Sequence, residues 1–168
     1  MKFLIFPNYV YRYNIKVSQQ DQNFLKLIAK NHKYDEHYTT FYKENILSLP
    51  QIISLKKTLE DIFDKLNLKV LHAWVQGYGE DNFHDCHTHP ECMYSCVLYL
   101  NCSNESSNTI FYHPTHPHSS MYHIEKTSIK IKPKIGKLVI FPSYLPHTVL
   151  PNKDKKRLVL SANLIQKH

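Results

Sequence analysis

The sequence predicts a mainly β protein of the α+β class, with two helices that precede a β-sandwich or barrel and pack on one of its sheets. Apolar residues recur at helical spacing only before residue 68, whereas short apolar runs separated by turn residues fill the remainder. The 168 residues include 42% hydrophobic ones, enough for a buried core, and no repeat or linker divides them. We therefore expect a single domain over residues 1–168. Residues 1–68 would hold an N-terminal strand and the supporting helices, and residues 69–168 the barrel.

The first helix is predicted from its N-terminal signal. Residues 2–15 are apolar and aromatic around Pro7, which indicates one or two short strands. The segment "SQQD" at 18–21 then resembles a capping box with Asp in place of Glu. It would open a helix whose apolar residues include Phe24, Leu27 and Ile28.

The second helix follows a mixed, aromatic segment at 32–50 that is typical of a loop with short pieces of structure. Pro50 suits the first turn of a helix. Apolar residues then recur at positions 52, 55, 59, 62 and 66, the spacing of an amphipathic helix.

The pattern changes to short strands after residue 68. Glycine, proline, asparagine and aspartate separate seven or eight apolar runs, which predicts a β-sandwich or barrel. The strands are predicted near 69–78, 84–89, 93–101, 108–113, 122–131, 136–141, 146–150 and 157–165.

Charge and composition limit the classes of function. The net charge of +7 permits an anionic substrate or nucleic acid, although no long basic run is present and a solvated basic surface is the simpler interpretation. No apolar run has transmembrane length, and the N-terminus lacks the features of a signal peptide, so we expect no membrane association and a cytoplasmic protein. The abundance of Lys, Asn and Ile indicates an AT-rich coding sequence, as in a phage, another virus or an AT-rich bacterium.

The chemistry-bearing segment is "NFHDCHTHPEC" at 82–92. If His87 and His89 lie on one strand, both point to the same face and can bind one metal ion. The best third ligand is His147, which follows the apolar run "GKLVIFPSYLP". A zinc site made from Cys86, His87, His89 and Cys92 fits no standard finger spacing. The four cysteines of this cytosolic chain are interpreted as free thiols or ligands rather than disulfides.

The chain resembles the Fe(II)- and 2-oxoglutarate-dependent oxygenases, in which an H-x-D/E pair, a distant His and then an Arg or Lys occur in that order. It is most similar to a family of small 2-oxoglutarate–Fe(II) oxygenases. The resemblance lies in the blocks "LIFPNYVY", "HTHP" with "SCVLYL", "GKLVIFPSYLPHTV" and "RLVLSANL", and it spans nearly the whole chain. It implies a double-stranded β-helix, a cupin-like jelly-roll barrel.

The resemblance also implies the cofactors Fe(II), 2-oxoglutarate and O₂, with ascorbate as an assisting reductant. Arg157 would bind the far carboxylate of 2-oxoglutarate, since a guanidinium forms two parallel hydrogen bonds and keeps its charge. The other expected cosubstrate residues are hydroxyl or amide donors, some of them on the strand face of Arg157: Tyr78, Tyr99, Gln76, Ser161 and Asn163. Gln76 and Tyr78 also match the spacing of an N-x-Y pair in nucleic-acid dealkylating oxygenases.

One departure from the family pattern concerns the third metal ligand. His89 stands where a carboxylate is usual, and an imidazole cancels none of the charge of Fe(II). Three-His iron sites occur in other dioxygenases, so we expect His87, His89 and His147 to bind the metal. Asp85 is the alternative, because it would share their strand face. A third interpretation is that this family member binds metal but catalyses its reaction slowly.

The function expected from the resemblance is a dioxygenase, specifically a hydroxylase, with an unidentified substrate that the net charge weakly favours as anionic. A cupin-like three-His dioxygenase that needs no 2-oxoglutarate, or a non-catalytic barrel that binds nucleic acid or sugar, would explain the same residues. The segment "FYHPTHPHSSMYH" at 111–123 is interpreted as a substrate-facing loop or lid, with a second metal patch as the alternative. Trp74 is assigned to the core, and a homodimer is compatible with the sequence.

Overall fold

A computed structural model of the chain describes residues 9–31, 33–34, 37–43, 45–114 and 128–167. Its helices are α1 (Gln19–Asn31) and α2 (Ile53–Lys65), and 3-10 turns at Ile46–Ser48 and Pro50–Ile52 lead into α2. Its strands are β1 (Tyr11–Asn14), β2 (Lys33–Tyr34), β3 (His37–Thr39), β4 (Leu68–Tyr78), β5 (His84–His87), β6 (Tyr94–Asn101), β7 (Thr109–Tyr112), β8 (Ser128–Ile131), β9 (Lys137–Pro142), β10 (His147–Val149) and β11 (Arg157–Gln166).

The strands form two antiparallel sheets. The larger sheet has the order β1-β9-β6-β11-β4-β3-β2, and the smaller has the order β5-β10-β7-β8. From β4 to β11 the chain passes back and forth, so that β4, β6, β9 and β11 lie in the larger sheet and β5, β7, β8 and β10 in the smaller one. This is the jelly-roll topology of a double-stranded β-helix, which confirms the expected mainly β fold with two helices.

Each of the eight strands predicted after residue 68 overlaps a strand of the structure. The predicted strand at 122–131 is described only over Ser128–Ile131, because its first half lies outside the described residues. The segment at 32–50, predicted as a loop with short pieces of structure, contains such pieces among its described residues. β2 and β3 lie there and extend the larger sheet, because β3 pairs with β4 at Thr39 and Gln76. Strands of two or three residues leave no periodicity to detect.

The two faces of the larger sheet border different interiors. Its outer face packs against α1 and α2 through buried apolar residues such as Leu25, Leu59 and Phe63. Its inner face meets the smaller sheet, and the residues between the sheets include Tyr99, Phe141 and Val159. The expected packing of the helices on the larger sheet is therefore observed.

Alternation along the central strand β11 places polar groups inside the barrel. Leu158, Leu160 and Ala162 belong to the core beneath the helices, whereas Arg157 and Ser161 line a cavity between the sheets. Period-two alternation produces this separation, as expected for a strand with both faces buried.

The start of α1 follows the capping signal. The backbone N–H of Asp21 donates to Ser18 Oγ at 3.0 Å, and Ser18 Oγ donates to the Asp21 carboxylate at 2.7 Å. Among the described residues, neither helix is long and apolar enough to cross a membrane.

Candidate metal centre and anion pocket

Two histidines from neighbouring strands of the smaller sheet, and a third from the segment that follows β5, meet at one cavity. His87 ends β5, and His147 begins β10 directly opposite it in the antiparallel register. His89 lies two residues beyond β5. Each histidine has one ring nitrogen that lies within 4.8 Å of a ring nitrogen of the other two. The residues singled out in the sequence therefore converge.

The prediction that His87 and His89 lie on one strand was wrong. His89 does not share a strand with His87, because β5 ends at His87 and a turn begins at Pro90. Glu91 in this turn has a φ of +63°. The backbone N–H of His89 donates to the carbonyl of Ser143 at 2.9 Å, which ties the turn to the segment just after β9.

Asp85 does not join the cluster, because a β-bulge changes the face of its side chain. Two steps along β10, from His147 to Val149, correspond to three steps along β5, from His87 to His84. The additional residue places His84 and His87 on the same side, with rings stacked at 4.0 Å, and leaves the Asp85 side chain exposed. The premise that Asp85 shares a strand face with His87 and His89 is therefore wrong.

Backbone carbonyls determine the tautomers of two of these rings. His87 Nδ1 lies 2.6 Å from the carbonyl oxygen of Asp85, and His147 Nδ1 lies 3.0 Å from that of Leu145. A carbonyl only accepts, so Nδ1 carries the hydrogen in both rings and Nε2 offers its lone pair. Metal-binding histidines are commonly oriented by such a second hydrogen bond.

The spacing of the Nε2 atoms fits a common ion. His89 Nε2 and His147 Nε2 are 3.3 Å apart. Two nitrogens bound at right angles to one ion, each about 2.1 Å from it, are about 3.0 Å apart. The pair therefore needs only a small adjustment to bind an ion with octahedral angles.

Burial keeps the three rings uncharged at neutral pH. It lowers the pKa of His87, although the carbonyl and charge of Asp85 oppose the shift. Burial, with a smaller effect of His87, lowers the pKa of His89 to about 4. Burial and the neighbouring histidines lower the pKa of His147 to about 3. Neutral imidazole is the form that binds metals.

The zinc alternative receives no support from the positions of the cysteines. All four cysteines are free thiols, as expected. Cys86 is exposed, and Cys92 Sγ lies 3.0 Å from Ser143 Oγ rather than beside the three ligand nitrogens.

Arg157 lines the same cavity as the three histidines, and it is only 2% exposed. Its Nη2 donates to Thr109 Oγ1 at 3.0 Å. Its guanidinium carbon lies 4.3 Å from the ring centre of Tyr78 and 5.5 Å from that of Tyr99. None of the ion pairs among the described residues includes this arginine, so no carboxylate in that part of the chain balances its charge.

Two of the arginine's three nitrogens have no hydrogen-bond partner among the described residues. These are Nε and Nη1 of Arg157, and both are buried. A buried guanidinium is costly unless it is paired, so this arrangement calls for an anion from outside the chain. A guanidinium donates two parallel bonds to a carboxylate from Nη2 together with either Nε or Nη1, and only one of the two Nη2 hydrogens of Arg157 is needed for Thr109. The residues therefore fit the far carboxylate of 2-oxoglutarate.

The other expected cosubstrate residues divide into two groups. Gln76, Tyr78 and Ser161 line the cavity that joins the histidines to Arg157. Tyr99 is buried beside the arginine, and its hydroxyl lies 2.7 Å from Thr109 Oγ1. Burial raises the pKa of Tyr99, which keeps the phenol protonated despite the nearby guanidinium.

Asn163 lies elsewhere, at the opening beyond the histidines. Its Oδ1 accepts from Ser95 Oγ at 3.2 Å, and Ser95 Oγ lies 3.0 Å from Ser143 Oγ. It therefore belongs to a polar cluster under the His89 turn, defined here as Cys92, Ser95, Ser143 and Asn163, and not to the surroundings of Arg157.

Sequence reasoning missed Thr109 and the serines of this polar cluster. The only signal for Thr109 is its position two residues before Phe111 in a predicted strand, which places both on one face. Trp74 is buried as expected, yet its ring centre also lies 6.0 Å from that of His89. Of the His-rich segment at 111–123, residues 115–123 lie outside the described residues, so the loop, lid and metal-patch interpretations stay predictions.

Replacing Ser143 with alanine is expected to weaken Fe(II) or Co(II) binding by about tenfold, the lower end of the loss for an outer hydrogen bond, because the hydroxyl acts on His89 only through the turn and the backbone bond from His89 is kept. The hydroxyl contacts both Cys92 and Ser95 beneath the turn that places His89. Co(II) titration followed by its visible spectrum measures the effect.

Ser106→Ala is the matched control. Ser106 is also buried, but its hydroxyl binds Asp154 in the loops near Arg157. It should lower the free energy of unfolding without changing metal affinity. Equal metal affinity in Ser143→Ala and wild type would contradict a positioning role for the cluster.

Sequence comparison identifies one matching family. The family model described as "Putative 2OG-Fe(II) oxygenase" matches residues 72–163, more than half of the chain. The matched segment contains the three clustered histidines and Arg157. No curated protein matches the sequence.

Several solved structures are similar over nearly the whole chain. An oxidoreductase of the 2OG-Fe(II) oxygenase family from Burkholderia pseudomallei has a TM-score of 0.67 at 11% identity, covering 95% of this chain and 85% of that one. A viral collagen prolyl hydroxylase from Paramecium Bursaria Chlorella virus-1, solved as a 2OG complex, has a TM-score of 0.62 at 13% identity, covering 93% and 95%. A prolyl-4-hydroxylase from Pseudomonas putida has a TM-score of 0.63 at 16% identity, covering 96% and 94%. These similarities confirm the double-stranded β-helix.

Proposed function

The chain belongs to the 2OG-Fe(II) oxygenase family, whose members are oxidoreductases that use Fe(II) and 2-oxoglutarate, and from this we propose that it is a dioxygenase that couples decarboxylation of 2-oxoglutarate to hydroxylation of a substrate. The observation that supports this most directly is the unpaired guanidinium of Arg157 in the cavity of the three neutral histidines. One end of the cavity suits a cation and the other suits a carboxylate.

His87, His89 and His147 would hold the iron. Three ligands on one side leave open positions opposite for a chelating 2-oxo acid and O₂. All three imidazoles are neutral, so 2-oxoglutarate would bring the negative charges that balance Fe(II) and Arg157. When bound, iron and 2-oxoglutarate supply the oxidising power for C–H hydroxylation, and ascorbate would restore oxidised iron.

The remaining residues would bind and orient the cosubstrate. Arg157 would donate two parallel bonds to the far carboxylate, one from Nη2 and the other from Nε or Nη1, while the second Nη2 hydrogen bonds to Thr109. The faces of Tyr78 and Tyr99 cover the guanidinium, which strengthens the charge interaction by excluding water. Gln76 and Ser161 would donate or accept along the body of the acid.

Apolar side chains would keep bulk water out of the cavity. Val149, Val159 and Phe141 line it and are at most 5% exposed. Exclusion of water favours an ordered cosubstrate and protects reactive intermediates from side reactions.

A second candidate is a three-His dioxygenase that does not use 2-oxoglutarate. It is favoured by one observation, the absence of a carboxylate from the histidine cluster within the described residues. In that case Arg157 would be dispensable for activity. A binding module without catalysis would bind its ligand after the metal is chelated, and its affinity for a nucleic acid would fall steeply with salt.

The test is an anaerobic titration of the Fe(II)-loaded protein with 2-oxoglutarate, followed by the visible metal-to-ligand charge-transfer band. We expect the band to appear because the acid chelates iron through its keto and C1 carboxylate oxygens. Succinate, which lacks the keto group, is the matched control ligand and should give no band. Bound iron without a band would favour the second candidate, and no bound iron would contradict both enzymatic proposals.

A further inference from the structure

An open groove leads from the protein surface to His87 and His89, two of the three clustered histidines. One part of its lining is an aromatic wall, defined here as Phe41, Tyr42 and Trp74. The groove is therefore continuous with the candidate metal centre and gives a substrate a path along this wall.

The aromatic wall is rigidly placed although two of its rings face solvent. Phe41 is 40% exposed and Tyr42 is 65% exposed. The segment is anchored at the fully buried Thr40, whose backbone N–H donates to Val75 O and whose Oγ1 accepts from Val75 N–H, both at 3.0 Å. His72 Nε2 also bonds the Phe41 carbonyl oxygen at 2.9 Å. Ordered, exposed aromatic rings beside a reactive centre are typical of ligand recognition.

The rings of the aromatic wall form a stepped surface. Phe41 stands nearly perpendicular to Trp74, at 85° and 4.9 Å between ring centres, and to Tyr42, at 89° and 5.1 Å. A planar ring can lie face-on against one exposed ring and edge-on against the next, and both are favoured aromatic geometries. A puckered saturated ring makes only one of these contacts well.

The charge of the groove does not match the net charge of the chain. No lysine or arginine occurs among the described residues that line it, and Glu91 supplies a carboxylate. The lysines lie around pockets elsewhere, with Lys130, Lys132 and Lys153 in one and Lys155 and Lys156 in another. The net charge of +7 therefore gives no reason to expect an anionic substrate in this groove.

We propose that this groove binds the substrate of the enzyme through a planar, uncharged ring that carries no phosphate. The inference rests on the proposed function, since it assigns the substrate class of the same site. It replaces the weak sequence-based expectation of an anionic substrate. Amide groups of Gln76 and Asn163 lie in the same lining and can bind the polar edge of such a ring.

The experiment compares matched ligands that differ only in charge. Trp74 is the only tryptophan of the chain and forms part of the aromatic wall, so its fluorescence reports on the groove directly. The anaerobic protein loaded with Fe(II) and 2-oxoglutarate is titrated with thymidine and thymidine monophosphate, and with adenosine and adenosine monophosphate. We expect at least one nucleoside to change the Trp74 emission saturably, and its monophosphate to bind about tenfold or more weakly because of Glu91.

Variants of the aromatic wall locate the binding. Phe41→Ala and Tyr42→Ala should each weaken binding of the nucleoside by about tenfold. Phe83→Ala is the matched control, because Phe83 is similarly exposed, at 47%, but does not line the groove. Thermal unfolding of each variant verifies that the fold is retained.

Three results would overturn the inference. They are monophosphates that bind as tightly as nucleosides, a saturable response to N-acetylprolinamide but to no nucleoside, and no response to any of these ligands. The charge-transfer band of 2-oxoglutarate is recorded on the same samples. A normal band with any of these results contradicts the substrate class alone, whereas the absence of the band contradicts the proposed function.

Discussion

Replacing Arg157 with leucine is expected to abolish binding of 2-oxoglutarate while leaving the ligand-free protein as stable as the wild type or more stable. The guanidinium is buried between the sheets, and its Nε and Nη1 have no partner among the described residues. A buried charge without a counter-ion opposes folding, so an apolar side chain of similar volume should relieve that cost. The same charge is what the far carboxylate of 2-oxoglutarate would need.

The substitution should lower the affinity for 2-oxoglutarate but should leave unchanged or raise the free energy of unfolding. Two charge-assisted hydrogen bonds contribute about 1.5–3 kcal/mol each, so the affinity for 2-oxoglutarate should fall by about 10²–10⁴-fold. The free energy of unfolding should be unchanged or rise by up to ~4 kcal/mol. Isothermal titration with 2-oxoglutarate and urea denaturation of the metal-free protein measure the two quantities.

Arg157→Lys is the matched variant, because it keeps the charge but loses the two-pronged geometry. We expect it to bind 2-oxoglutarate with an affinity between those of wild type and Arg157→Leu. Unchanged affinity in Arg157→Leu would show that the arginine is not the carboxylate site. A large loss of stability would show that Arg157 is paired within the chain.

Replacing His147 with alanine is expected to reduce Fe(II) and Co(II) affinity by more than about 100-fold, beyond what the loss of an outer hydrogen bond costs. His147 is 4% exposed, and its Nε2 lies 3.3 Å from that of His89. Its loss leaves two ligand nitrogens in the cluster. Metal binding is measured by quenching of Trp74, whose ring centre is 6.0 Å from that of His89.

His84→Ala is the control for this variant. The His84 ring stacks on His87 and its Nδ1 lies 3.4 Å from the Tyr78 hydroxyl, but it is not one of the three clustered ligands. Its replacement should change metal affinity by less than tenfold. Equal losses in the two variants would mean that four histidines bind the ion, or that both changes act by disturbing β5.

Much of the barrel was predictable because it depends on local patterns. The apolar runs separated by turn residues placed all eight barrel strands, and the spacing after Pro50 placed α2. Arg157 was assigned to the barrel interior because the family resemblance implies a carboxylate site there, and alternation placed Val159, Ser161 and Asn163 on the same strand face. Such inferences hold because a strand residue and its second neighbour face the same side whatever the partner strand is.

Local patterns were therefore enough to predict the fold class, and the motif blocks shared with the oxygenase family singled out the three histidines and Arg157. How these residues converge depends on tertiary contacts. Pairing with β10 creates the bulge that turns Asp85 outward, and the bond from His89 to Ser143 places a ligand that no strand carries. The partner Thr109 and the position of Asn163 likewise depend on contacts between strands distant in sequence. Alternation is a property of one strand, whereas register, bulges and hydrogen-bond partners exist only after strands have paired.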